Sequence, residues 1–357
     1  MKASKLVSTR SVTTKLITTA SVGALLLGLS ATAQADNWRY AHEEYEGDVQ
    51  DVFAYAFKEY IEENSDHTVQ VYRFGELGES DDIMEQTQNG ILQFVNQSPG
   101  FTGALIPEAQ IFFIPYLLPT DEETVLTFFD ESKAINEMFP ELYAEQGLEL
   151  LKMYPEGEMV VTTDEPISSP EDMDNKKIRT MTNPLLSETY DAFGATPTPL
   201  PWGELITALE TGLADGQFNA PVLNTTFNFD AVTDYTTLTG HVYNSAPWVV
   251  SESWYQSLPE THQQAVISSA REAIQLSHGM SGALATASWV ESCERFESCY
   301  LMPDAERERM AEIARPAWQE WIVNDFGMDE ARMQGLLDEV ERVGQQLAED
   351  DLRIYGQ

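Results

Sequence analysis

The chain has 357 residues, with 59 Asp and Glu against 20 Lys and Arg, so its formal net charge is −39 at pH 7. This charge excludes DNA and RNA as partners, because their phosphates would be repelled. Hydrophobic residues make up 43% of the chain, which excludes a wholly disordered protein. The acids are dispersed along the sequence, and we interpret this as adaptation to high salt, where screening weakens self-repulsion.

The first 35 residues have the pattern of a secretory signal peptide. They contain four basic residues and no acid, then a short apolar run at 16–29, and they end in an A-x-A sequence at 33–35. An uncleaved membrane anchor is the alternative, but the run is shorter than the roughly 20 residues that span a bilayer. We therefore expect export to the periplasm and a mature chain that begins at Asp36.

After the leader, strand and helix patterns alternate, which is typical of an α/β protein. The first series opens with a predicted strand at 38–41 and a helix at 48–64, where apolar residues recur at helical spacing. The later elements of this series are predicted strands at 68–74 and 92–95 and predicted helices at 80–89, 120–130 and 133–146.

A second series starts near Leu148, and long helices follow it. Its predicted strands lie at 148–154, 158–162, 177–180, 216–219, 236–241 and 248–251, and its helices at 184–193 and 202–211. The C-terminal third predicts long helices at about 259–289, 305–325 and 329–350.

Two α/β series without a flexible linker predict two lobes, with a ligand cleft between them that closes by hinging. We place residues 36–160 and 241–288 in lobe I, and residues 161–240 and 289–357 in lobe II. Cys293 and Cys299 predict one structural disulfide in an oxidising compartment, with two free thiols as the alternative.

The sequence contains no recognisable enzyme motif. Its five histidines do not form H-E-x-x-H or another metal-ligand spacing, and there is no nucleophile elbow, P-loop or dinucleotide fingerprint. A secreted hydrolase that uses two carboxylates is the alternative, since abundant acids would hide such a pair. We expect a binding protein with neither a metal nor a cofactor.

Motifs in the two series resemble those of one transporter family. They are Phe74-Gly75-Glu76-Leu77-Gly78 with Met84-Glu85-Gln86 and Gly90, then Pro107 with Ile114-Pro115-Tyr116-Leu117, then Lys177-Ile178-Arg179, and finally Trp202-Gly203-Glu204 through Gly212 to Asn219. They are similar to segments of the solute-binding proteins of TRAP (tripartite ATP-independent periplasmic) transporters. The resemblance implies a two-lobed periplasmic protein that delivers a small carboxylate-bearing solute to a small and a large membrane subunit.

Within this family, the segments 38–48 and 97–101 are most similar to ectoine-binding subunits of halophilic bacteria. Ectoine and hydroxyectoine are therefore the predicted solutes; a C4-dicarboxylate or a hydroxy acid is the alternative, and a ligand sensor is the alternative role. Leu223 and Asn244 depart from the resemblance, because the ectoine binders carry aromatic residues there. The rings that could compensate are Phe218, Phe227, Tyr243 and Trp248.

Arg179 and Asn219 are the predicted ligands of the solute carboxylate. A guanidinium offers a planar fork of donors that matches a carboxylate, and the resemblance implies that Arg179 clamps the solute in this way. The amide of Asn219 can donate to the same carboxylate. The alternatives are an Arg paired with a local acid and an Asn that only stabilises a turn.

Glu44, Trp202 and Phe101 are the predicted ligands of a cationic group. Ectoine joins a cyclic amidinium to a carboxylate, so Glu44 would supply the opposite charge and would repel a second carboxylate. Aromatic rings stack on delocalised cations. The alternative for Glu44 is an acid on the protein surface, and the alternative for Trp202 and Phe101 is ordinary packing in the core.

Overall fold

The computed structural model describes residues 36–118, 122–324 and 330–355, and the strands within these ranges form one mixed sheet. The predicted signal peptide lies outside the described residues. The strands are β1 (Asn37–Ala41), β2 (Thr68–Tyr72), β3 (Phe94–Asn96), β4 (Leu148–Thr163), β5 (Lys177–Thr180), β6 (Thr196–Pro199), β7 (Gly216–Asn219), β8 (Tyr235–Ser251) and β9 (Ser298–Leu301). Their order is β2-β1-β3-β8-β4-β7-β5-β6, with β9 paired to β8.

Helices cover the sheet, and the predicted α/β alternation is confirmed. They are α1 (Val49–Asn64), α2 (Ser80–Gln88), α3 (Pro99–Thr102), α4 (Glu122–Glu131), α5 (Phe139–Ala144), α6 (Pro184–Ala192), α7 (Leu205–Glu210), α8 (Pro221–Thr226), α9 (Glu252–Ser257), α10 (Glu260–Arg295), α11 (Asp304–Asn324) and α12 (Glu330–Tyr355). The short elements α3, α8, α9 and β9 were not predicted, because each has too few residues to show a clear period.

Strands β4 and β8 run through both halves of the sheet, so the prediction of short separate strands there was wrong. They pair antiparallel along their lengths, with register shifts around Pro155, Gly157 and Glu158. Pro and Gly usually end a strand, but here bulges accommodate them. Because β8 also pairs with β3 and β4 also pairs with β7, these two strands join the first series to the second.

Each half of the sheet has its own apolar core. Phe53, Phe57 and Ile61 of α1 recur every fourth residue and are fully buried beside Tyr40 and Trp248, as an amphipathic helix requires. The core of the second series is built around residues such as Ile178, Leu186, Tyr190 and Phe218.

The C-terminal helices contact both halves. Met333, Leu336 and Val343 of α12 belong to the same apolar cluster as Phe128 and Phe129 of α4. The predicted boundaries placed α12 in lobe II with the rest of residues 289–357, whereas α12 packs on α4 of lobe I. The lobe boundaries as a whole stay a prediction. A disulfide joins Cys293 to Cys299 and thereby ties the end of α10 to β9. None of the described helices combines the length and apolarity needed to cross a membrane.

Candidate ligand-binding site

One small cavity brings the predicted site residues together. Its volume is about 40 Å³, which is room for a few water molecules. Glu44, Phe101, Arg179, Trp202 and Asn219 all line it. The other lining residues, which the sequence analysis did not assign to the site, are Glu43, Gln50, Ser98, Met181 and Leu223.

The sheet topology explains why these residues meet. Strands β1 and β3 are parallel neighbours, as are β5, β6 and β7. Glu44 follows β1, Phe101 follows β3, Trp202 follows β6, Asn219 ends β7, and Arg179 lies near the end of β5. Ligands of parallel sheets bind beyond the carboxyl ends of the strands, and here two such ends face one cavity.

Arg179 is a buried cation that forms no salt bridge with a carboxylate of the described residues. Its side chain donates from Nε and Nη2 to the carbonyl oxygen of Leu200, at 3.1 and 2.7 Å, and its Cζ lies 5.6 Å from the ring centre of Trp202. These contacts within the described part of the chain include no acid. Burial lowers the pKa of Arg179 to about 9, although the charges of Glu43 and Glu79 oppose this. The group is therefore still charged at neutral pH, and a ligand carboxylate would neutralise it.

Glu43 and Glu44 form the opposite wall of the cavity. Glu44 Oε2 accepts a hydrogen bond from the backbone N–H of Gln50, and Glu43 Oε2 accepts one from that of Ser98, both at 2.7 Å. Glu43 Oε1 is buried and meets no donor with hydrogen-bond geometry among the described residues, although Ser80 and Gln97 lie near enough to lower the pKa of Glu43. Burial raises the pKa of Glu43 to about 7 and that of Glu44 well above its usual value. This wall favours a ligand group that brings positive charge or N–H donors.

A second layer of acids lies behind Glu44. Glu156 accepts hydrogen bonds from Gln50 Nε2 at 3.0 Å and from Asn244 Nδ2 at 2.7 Å. Burial raises the pKa of Glu156 to about 8 and that of Asp48 to about 6. Because so many buried carboxylates cannot all be charged together, some of them hold protons near neutral pH. Asn244 therefore orients an acid of this layer.

The loop that carries Glu44 is held by charged contacts. Asp51 accepts from Arg73 Nε at 2.8 Å and from the N–H of Gly47 at 2.9 Å, and His42 Nε2 lies 3.3 Å from Asp51 Oδ1. Burial alone would raise the pKa of Asp51, but its bonds to His42, Arg73 and Gly47 lower it to about 2. His42 Nδ1 in turn accepts the N–H of Glu44 at 3.2 Å. The loop thus has a fixed shape on the side of β1.

Aromatic rings close one end of the cavity. Phe227 packs edge-on against Trp202, with ring centres 4.6 Å apart, and Tyr45 stacks on Phe227 at 4.3 Å. Among the rings considered as replacements for Leu223 and Asn244, Phe227 is thus close to the site. Phe218 and Trp248 are instead buried in the cores of the two halves.

Asn219 is oriented by a chain of side-chain amides. Its Nδ2 donates to Gln217 Oε1, and Gln217 Nε2 donates to Thr162 Oγ1 at 2.9 Å and to Asn224 Oδ1 at 3.2 Å. One Nδ2 proton of Asn219 is therefore used within the protein, and a second proton is left for other partners.

Glu43 lines the cavity but was not predicted as a site residue. The alternation of side chains along a strand does not extend into the loop after β1, so no local pattern in the sequence distinguishes Glu43 from Glu44. Strand β1 ends at Ala41, and both acids lie in the turn that follows.

The described residues contain no group of three or more His, Cys, Asp or Glu placed to hold a metal ion.

Two relatives and one solved structure have high similarity to the chain. The ectoine-binding periplasmic protein TeaA of Halomonas elongata is 72% identical over 252 residues, which cover 71% of this chain and 74% of that protein. The ectoine/5-hydroxyectoine-binding periplasmic protein UehA of Ruegeria pomeroyi is 56% identical over 242 residues, covering 68% and 71%. The solved structure of the ectoine-binding protein from the TeaABC TRAP transporter of Halomonas elongata superposes with a TM-score of 0.82 and 59% identity, covering 86% of this chain and 99% of that one.

The superposition confirms the predicted binding-protein fold. The sequence model of the bacterial extracellular solute-binding proteins, family 7 (DctP), matches residues 40–324. Proteins of this kind bind solutes in the periplasm and carry out no reaction, in agreement with the sequence analysis. The chain belongs to this family and is a periplasmic solute-binding protein.

Proposed function

We propose that the chain captures ectoine and hydroxyectoine as the substrate-binding subunit of a TRAP transporter. One observation carries the proposal: the unneutralised guanidinium of Arg179 faces the buried carboxyls of Glu43 and Glu44 across one cavity. A zwitterion brings a carboxylate to Arg179 and a cation to Glu43 and Glu44. The carboxylate offsets the desolvation of the charged guanidinium, and the cation stabilises the ionised form of the buried acids.

The proposed roles follow from this arrangement. Arg179 clamps the solute carboxylate through the donors that Leu200 does not occupy, and the second Nδ2 proton of Asn219 adds a bond to the same group. Glu44 pairs with the amidinium. Trp202 and Phe101 contact the delocalised cation, and such contacts contribute about 0.5–2 kcal/mol each.

The proposed partners are a small and a large membrane subunit, since a relative of high identity belongs to the TeaABC transporter. We further propose that residues 36–160 and 241–288 move as lobe I and residues 161–240 and 289–324 as lobe II, while α12 packs on α4 and moves with lobe I. The long strands β4 and β8 would then be the links about which the lobes close.

Calorimetry at molar salt tests the solute. We expect ectoine and hydroxyectoine to bind with micromolar or tighter affinity, and succinate and a hydroxy acid to bind much more weakly. Succinate would place its second carboxylate against Glu43 and Glu44. No heat with either ectoine, together with binding of an organic acid, would contradict the proposed solute. The organic acid stays the second candidate because Leu223 lines the cavity and supplies no ring.

A further inference from the structure

Two contacts join the walls of the cleft outside the cavity. The ring of Tyr45 stacks on that of Phe227 with centres 4.3 Å apart and planes 19° apart. Asp48 Oδ1 accepts a hydrogen bond of 2.7 Å from Thr226 Oγ1, although the two residues are 178 positions apart in the chain. Neither Tyr45 nor Thr226 lines the cavity. These side chains therefore connect the walls without touching a ligand.

On the first wall, the loop with Tyr45 and Asp48 is fastened to its own half. Gly47 and Arg73 bind Asp51, as described above, and the N–H of Phe74 donates to the carbonyl of Glu44 at 3.1 Å. A movement of the first series would therefore carry this loop with it.

On the second wall, the end of α8 is fastened separately. The N–H of Phe227 donates to the carbonyl of Leu223 at 3.0 Å. Arg295 binds the Thr225 carbonyl at 3.0 Å and the Asn228 side chain at 2.7 Å. The stack and the hydrogen bond thus join two segments that are each anchored elsewhere.

The joined side chains form a path from the surface to the cavity. Tyr45 is 40% exposed, Phe227 packs between it and Trp202, and the ring of Trp202 lies over Arg179. A cavity of about 40 Å³ is too small to admit a solute of the size of ectoine unless its walls separate. Separation breaks the Tyr45–Phe227 stack and the Asp48–Thr226 bond.

We infer that Tyr45 and Thr226 form a latch that sets how long the closed protein retains its solute. The inference rests on the proposed function, because it concerns the same cavity. The latch contacts exist in the closed state and are lost on opening, so they slow dissociation. They leave association nearly unchanged, since the solute enters before they form. Tyr45 and Thr226 are positioning residues and not ligands.

The test measures association and dissociation rates of ectoine by stopped-flow fluorescence, with Trp202 as the reporter. Tyr45→Ala removes the ring, and Thr226→Val removes the hydroxyl at nearly constant size. We expect each to raise the dissociation rate about two- to tenfold, the range given by one aromatic pair or one hydrogen bond. The association rate should change less than about twofold. The matched controls Tyr45→Phe and Thr226→Ser keep the ring and the hydroxyl, and should dissociate at the native rate.

Unchanged dissociation in both Tyr45→Ala and Thr226→Val would overturn the latch. So would equal effects in the matched controls, or a loss of affinity that arises in the association rate. Failure of the proposed function is distinct, because the unmodified protein would then not bind ectoine. In that case the same rates are measured with the organic acid that does bind. Melting temperatures of the ligand-free variants should match the native value, which separates the latch from a folding defect.

Discussion

The guanidinium of Arg179 on one wall of the cavity and the carboxyl groups of Glu43 and Glu44 on the other are shielded from solvent, yet the two walls differ in charge state. The guanidinium keeps its charge and binds a single carbonyl oxygen. The acids belong to a hydrogen-bonded group that includes Glu156, and burial raises their pKa values. One wall therefore presents a permanent charge. The other wall becomes negatively charged only when a cationic ligand causes its acids to lose a proton.

The largest effect should come from the permanent charge. Arg179→Met keeps an apolar side chain of similar length and removes the cation, so the solute carboxylate enters a buried site without a partner. Losing such a contact costs about 2–5 kcal/mol, and we expect calorimetry to find ectoine binding abolished at ordinary concentrations. The ligand-free variant should melt no lower than the native protein, because it no longer buries an unneutralised charge. Native affinity in this variant would remove Arg179 from the site.

The acidic wall should give a smaller loss. Glu44→Gln preserves the shape but not the anion, and hydrogen bonds to charged groups contribute about 1.5–3 kcal/mol. We expect weaker ectoine binding and less discrimination against succinate, measured as the ratio of the two dissociation constants. Glu156→Gln is the matched control, since Glu156 belongs to the same group of acids but does not line the cavity. Equal losses in both variants would mean that Glu44 acts only through the network.

Trp202 lies over Arg179 and lines the same cavity as Glu43 and Glu44, and it should contribute less than either charge. Trp202→Phe keeps an aromatic face and Trp202→Leu removes it, so the difference between them isolates the ring–cation contact. We expect Trp202→Leu to lose about 0.5–2 kcal/mol of ectoine binding and Trp202→Phe to lose less. Titration calorimetry of both variants measures this, and equal affinities would assign Trp202 a packing role.

The Arg179 wall was the easier one to predict from the sequence. Arg179 and Asn219 lie on short buried strands with clear boundaries, and the carboxyl ends of parallel strands collect functional groups. Glu156 and Asn244 could not be predicted in the same way. They lie where β4 and β8 pass through register shifts, and Pro155 and Gly157 read as a break between two strands. The distance along the chain from Gln50 to Glu156 is 106 residues, so no local pattern links them.

The raised pKa values of the buried acids predict how the stability of the ligand-free protein depends on pH. Glu43 and Glu156 have pKa values raised to about 7 and 8 from 4.5. Their contribution to ligand-free stability is therefore complete below about pH 4.5 and is lost as the pH rises through 7 to 8. Glu156→Gln should show a flatter decline of melting temperature over this window than the native protein. A decline of equal slope would mean that Glu156 is already ionised there.

Ectoine binding should release a proton, because burial raises the pKa of Glu44 well above its usual value and the amidinium stabilises its ionised form. Affinity should then rise with pH up to the raised pKa of Glu44, by less than tenfold per unit if less than one proton leaves. Calorimetry in phosphate and in Tris, whose ionisation heats differ, measures the protons released. In Glu44→Gln, fewer protons should be released per ectoine bound. Arg179→Lys should bind ectoine more weakly but should release as many protons per bound ectoine as the native protein, because its acidic wall is unchanged. A native protein that releases no proton would show that the acidic wall is already charged before the ligand arrives, and that both walls present permanent charges.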